Sequence, residues 1–204
     1  MTSKNDPVYS SNVVGFTAAA IEFCKYAENA GRMKGEELLR ILQRILPYLY
    51  VKASLLPSLE PWFDDGNEKF VTEADWFRIH DVLRDKFGTA DDYIDMADEK
   101  FNEAEGPVVS SISENMADIY QDIKNYLLLY QTGTPEVMND AVWECRLNFE
   151  NYWGQKLLNS LRFIHKFIYS GEEIGKLEPR NDETRNTSDW FITRRQKDLR
   201  GNGK

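Results

Sequence analysis

Long apolar runs are missing from this chain. Its best candidate, LLRILQRILPYLYVKASLL, carries two arginines, a lysine, a glutamine and a mid-run proline. A bilayer span needs about 20 mostly apolar residues, so no membrane partner is expected. The first residues, MTSKNDPVYSSN, have no apolar core of the signal-peptide kind. Cysteine is scarce. Cys24 and Cys145 form neither a CxxC pair nor a metal-ligand cluster, which suits a reducing compartment. The expected location is therefore the cytoplasm, where the Asn186-Thr187-Ser188 sequon carries no meaning. Basic charge is in deficit: 25 Lys and Arg against 34 Asp and Glu leave a net charge of −9 at pH 7. Nucleic-acid affinity comes largely from Lys and Arg on phosphates, so a nucleic-acid partner is not expected either.

Catalytic signatures are lacking too. A ferritin-like di-iron bundle needs Glu-x-x-His pairs, yet the residues three before His80 and His165 are Phe77 and Arg162. The H-E-x-x-H zinc motif is absent. A HEPN-type ribonuclease needs an arginine four to six residues ahead of a histidine, and Arg162 stands three before His165. No Gly-rich phosphate loop and no GxSxG elbow occurs. No cofactor is implied.

What is present is a helix-forming chain of 204 residues with 42% hydrophobic and 13% aromatic content, ample for a packed core. Apolar residues recur at helical spacing. A first helix is predicted from Ser11 to about Ala30, with Val13, Thr17, Ala20, Ile21, Cys24 and Ala27 on one face. A second covers about Lys34 to Leu56. Its stripe (Leu38, Leu42, Ile45, Leu49, Ala53, Leu56) continues past Pro47, so a bend is expected there rather than a break. A Pro- and Gly-broken linker, PSLEPWFDDGNEKF, follows. Thr72 and Asp75 then make a capping box for a third helix with stripe Trp76, His80, Leu83, Phe87, ended by Gly88. Residues 89–106 carry Asp91, Asp95, Glu99 and Glu103 at four-residue spacing. Like charges so placed oppose a helix, and a weak surface helix is expected, with Thr89 and Asp92 as a possible second capping box. A fourth helix is predicted over Val108–Gln131, with Glu114, Asp118, Gln121, Asp122 and Asn125 on its solvent face. A fifth runs from Thr134–Pro135 to about Tyr169. The fold class is all-α: an antiparallel bundle of four to five main helices over residues 1–171, with an acidic surface segment and a polar, basic tail over 172–204.

The phrases LPYLYVKASLLP, SSISENMADIYQDIKNYLLLY and NYWGQKLLNSLRFIH together resemble an uncharacterised bacterial family, mostly of Bacteroidetes, known as domain of unknown function number 5063. The resemblance spans roughly Val8 to Tyr169. It implies a helical fold and brings no activity and no site residues.

Candidate residues come from polar groups on apolar faces. His80 and His165 both fall within apolar stripes. Each is expected to be a core histidine with a bonded partner, the alternative being that they meet across helices as ligands. Arg146 and Glu150 share the stripe of Trp143, Trp153 and Leu157, and Glu28 points with Ile21 and Cys24. Buried charges must pair or line a cavity. The plain expectation is structural ion pairs, and the functional one is a ligand pocket holding Glu28, Arg146 and Glu150 with the histidines. Residues 89–122 hold ten Asp or Glu and one Lys, a net charge equal to that of the whole chain. This is a solvated face in the plain reading. The sharper readings are a metal site, for which Asp95-Met96-Ala97-Asp98 gives a single D-x-x-D, or a dock for a basic partner or for the chain's own tail with Trp190, Arg194 and Arg195. Trp62 and Phe63 lie in the Pro-bounded linker; the plain reading is that they cover a bundle end, and the sharper one that they form a second contact surface. The leading expectation is a non-enzymatic interaction or adaptor protein, with homo-oligomers allowed. The alternatives are a metal-dependent all-α hydrolase resembling nucleotide pyrophosphatases, using carboxylates, and a small-ligand-binding bundle.

Overall fold

The computed structural model describes residues 6–95 and 108–170. Asp6 and Ser10 open the chain by accepting from the backbone N–H groups of Val8 and Val13, the second bond capping α1, Ser11–Glu28. Helix α2, Gly35–Ser54, follows a short 3-10 turn and packs back along α1. Pro47 sits inside α2 on its exposed side, and Leu42, Leu46 and Leu49 stay buried on the other. The register thus runs through the proline as expected. On α1 the buried face is Val13, Phe16, Ala20, Phe23, Cys24 and Ala27, whereas Ile21 is 51% exposed.

The Thr72–Asp75 capping box forms as predicted and opens α3, Glu73–Phe87. Beyond it the expected weak helix does not appear among the described residues. A 3-10 turn, Gly88–Ala90, leads to a short strand β1, Asp92–Asp95. It pairs antiparallel with β2, Val108–Ser111, placing Ile94 opposite Val109. The expected fourth helix therefore starts later, at Ile112. The cause is Asp91, which is fully buried. Its carboxylate accepts from the Ser113 N–H and from the Ser111 and Ser113 hydroxyls, all within 2.8 Å. Its own carbonyl accepts from the Ile112 N–H. These bonds draw the chain across to the start of α4 and leave extended backbone on either side.

Helix α4, Ile112–Tyr130, is the centre of the bundle and contacts α1, α3 and the last two helices. Thirteen of its nineteen residues are buried, so it has no broad solvent face. Gly133, at φ +73°, turns the chain in the left-handed region that favours glycine. Pro135 opens α5, Pro135–Asn148, although the Thr134 hydroxyl makes no capping bond. A π-helical turn, Phe149–Trp153, joins α5 without a break to α6, Gly154–Tyr169.

The π turn has a cause in the residue spacing. Cys145, Phe149, Trp153 and Leu157 are all buried and lie four apart. In a regular α-helix each such step drifts about 40° around the axis, at about 100° per residue. Three in a row would carry Leu157 off the core. A π turn holds one residue more, which restores the face. Gly154 permits it, because its N–H bonds the Phe149 carbonyl and a Cβ there would collide with that oxygen and with the Phe149 ring.

Candidate functional site

Two polar arrangements stand out, one buried and one at the surface. The buried one runs along α4. Asn115, Asp118, Asp122 and Asn125 follow a three-four-three spacing and form one stripe, and all four are buried. Sequence patterning had given the last three to solvent. They are buried because α3, α5 and α6 cover that side of α4 as well. Each finds partners on those helices, on β1 or on the linker that leads into α3. Asn115 donates to the Tyr93 hydroxyl at 2.7 Å and to Ser160 Oγ at 3.1 Å. Asp122 accepts from Asn148 Nδ2 at 3.1 Å. Asn125 Oδ1 accepts from the backbone N–H groups of Phe70 and Val71.

Asp118 is the hub. It accepts from Trp76 Nε1 and Lys156 Nζ, each at 2.8 Å, and from the Tyr152 hydroxyl. The π turn supplies Tyr152, and Lys156 lies 4.9 Å over its ring. Burial, reinforced by the Asp118 charge, pushes the Tyr152 hydroxyl far above its ordinary range. It therefore stays a donor. Three donors on one carboxylate, one of them cationic, describe a charge held in place rather than one offered to a substrate.

The surface arrangement is the linker between α2 and α3. Asp140 of α5 is buried, yet its two oxygens accept from the consecutive N–H groups of Trp62 and Phe63 at 2.7 and 2.9 Å. Asn139 reaches the Glu60 carbonyl, Asn67 reaches the Asp140 carbonyl and Glu144, and Lys69 pairs with Glu144. The backbone is pinned on both sides of its apex. The side chains are not: Trp62 is 67% and Phe63 51% exposed. At this exposure the pair does not serve as cover for a bundle end, the plainer of the two expectations.

The other sequence candidates separate. Glu28 pairs with Lys124 at 2.7 Å and accepts from the Tyr120 hydroxyl at 2.9 Å. Burial alone would raise the Glu28 carboxyl, but the bonds from Lys124 and Tyr120 outweigh it and hold it below its ordinary value. Arg146 pairs with Glu150 at 2.8 Å, as the four-residue spacing implies, and also donates to the Leu56 carbonyl. Glu28 lies at the α1–α2 junction, while Leu56 lies past the far end of α2, whose 20 residues span about 30 Å. The functional alternative, a shared pocket of Glu28, Arg146 and Glu150, does not form; these charges make the structural ion pairs of the plain expectation, at the bundle's edges.

The histidines do not meet either. His80 is fully buried, stacked on Trp76 at 4.9 Å, with Nδ1 donating to Asp81 at 2.8 Å. His165 is exposed on α6 and lies against Tyr169, which corrects its placement in the core. The buried stripe of α6 is Leu157, Ser160, Ile164 and Phe167, the side that Trp153 and Leu157 share and not the side of His165. Among the described residues no group of three or more His, Cys, Asp or Glu could hold a metal ion. The Asp95 side chain, Asp98, Trp190, Arg194, Arg195 and the 172–204 tail lie outside the described residues. Cys24 and Cys145 are free and buried, and burial raises both thiols. No helix among the described residues is long and apolar enough to cross a membrane.

The family model of a domain of unknown function, DUF5063, matches residues 7–170. A solved structure, that of protein BF1032 from Bacteroides fragilis, is 37% identical. It superimposes with a TM-score of 0.72 over 81% of this chain and 98% of that one. No curated protein matches the chain.

Proposed function

The chain belongs to the DUF5063 family, and from that premise we propose that it is a non-enzymatic interaction module, an adaptor of the bacterial cytoplasm. Its contact element is the Trp62–Phe63 tip, and its partner is a protein with an apolar pocket and a basic rim. The observation that carries this reading is the pair of exposed aromatics on backbone fixed by a buried carboxylate. Aromatic side chains dominate protein-binding hot spots, and a backbone already held in shape loses less entropy on binding. Glu60, Asp64, Asp65 and Glu68 surround the tip with negative charge, which favours a basic rim and fast encounter. The two buried free cysteines agree with a reducing compartment.

Quantitative affinity capture from native lysate tests the reading. The double variant Trp62→Ala/Phe63→Ala removes surface groups only, so its fold should be unchanged and recovery of the partner should fall by about a hundredfold, as for two hot-spot residues. Recovery from wild type should also weaken at high salt. A set of captured proteins identical for wild type and the double variant would overturn it.

A further inference from the structure

The β1–β2 hairpin and α6 enclose an open cleft of about 700 Å³, within the size range of small-ligand sites. It shares no lining residue with the aromatic tip. One wall is apolar and held in place. The Tyr93 hydroxyl is fixed by Asn115, and its ring stacks on Phe163 at 5.1 Å, which in turn stacks on Phe167. Ile94 and Val109, opposite each other in the hairpin register, line the same cleft and are 59% and 58% exposed. Two cross-strand aliphatic residues open to water beside an aromatic stack make a surface suited to a ring or a short chain.

The α6 side of the cleft is cationic. Arg162 and Lys166 stand one helical turn apart, both exposed, and neither forms an ion pair among the described residues. Like charges at this spacing repel, and an anion between them relieves that repulsion while offering a planar acceptor to the guanidinium. Asp92 is the one acidic residue of the lining and stands on the hairpin side. We propose that this cleft binds a small amphiphilic carboxylate. Its aromatic or aliphatic body lies on Tyr93, Ile94, Val109 and Phe163, and its carboxylate sits between Arg162 and Lys166.

Calorimetric titration of the full chain with naphthalene-2-carboxylate tests this. Saturable binding is expected. Arg162→Ala or Lys166→Ala should each weaken it about tenfold, the value of one charge-assisted contact. Val109→Asp, at an exposed site, should weaken it at least as much. The neutral amide of the same ring should bind about tenfold more weakly, and Trp62→Ala/Phe63→Ala should leave binding intact. No heat at millimolar probe, equal binding of the amide, or loss of binding in the tip variant would each overturn the proposal. Unchanged melting curves for the variants separate a lost contact from a lost fold.

Discussion

The two buried stripes of α4 hold the bundle together by different physics. Ile112, Met116, Ile119 and Ile123 meet apolar surface, and their attraction depends on area rather than direction. Asn115, Asp118, Asp122 and Asn125 meet named donors and acceptors at fixed distances. The first stripe accounts for compaction. The second fixes which element sits where: Asn115 the hairpin, Asp118 the π turn and α3, Asn125 the start of α3 through the backbone of Phe70 and Val71. The contrast shows how a bundle with few helices can still carry irregular segments in defined positions. Their backbone groups need partners, and the polar stripe provides them.

Removing one member from each stripe puts the contrast to the test. Asp118→Ala strips the counterion from Lys156 and leaves the Trp76 and Tyr152 donors without their acceptor. Breaking such a buried pair costs about 3–5 kcal/mol. Ile123→Ala, a cavity in the apolar stripe, should cost about 2–5 kcal/mol. Urea unfolding measures both. An Asp118→Ala loss below that of an exposed pair, about 1 kcal/mol, would show the polar stripe to be dispensable.

A smaller effect is expected at the π turn. Gly154→Ala drives a Cβ into the Phe149 carbonyl and ring, and overpacking of this kind costs about 1–3 kcal/mol. A melting temperature equal to that of wild type would mean that the turn relaxes without strain. The smallest effect concerns Glu28, at the edge of the bundle. Its carboxyl is held below the ordinary value by Lys124 and Tyr120. Its contribution is therefore present above the unfolded carboxylate pKa and is lost as pH falls through the lower folded value. Glu28→Gln should flatten the acid limb of the stability curve slightly. An unaltered acid limb would remove Glu28 from the account.

The same contrast explains what could be read from the residues in advance. The apolar stripes of α2 and α3, the passage through Pro47 and the Thr72 cap all rest on local spacing, and all are found. On α1 the partial miss came from Ile21, which shares a helical side with Cys24 but lies 51% exposed. Asp118, Asp122 and Asn125 carried the pattern of a wetted face, and only the packing of α3, α5 and α6 makes them interior. The four-residue strands are too short to show alternation, and the acidic spacing around them argued only against a helix. His165 was misplaced for a geometric reason. Leu158, Leu161 and Ile168 share its side, but these are flanking residues, and Leu157, Ile164 and Phe167 form the buried stripe. The run of four-residue steps from Cys145 to Leu157 is a sequence signal for the π turn.

Asp140 lies 78 positions along the chain from Trp62. The shape of the exposed apex is therefore not encoded in the linker that carries it. A synthetic peptide of the linker would hold the two aromatics without the geometry, and a graft onto another scaffold would need an equivalent of α5 beneath it. The apex is a property of the assembled bundle, so whatever unfolds α5 also dissolves its shape.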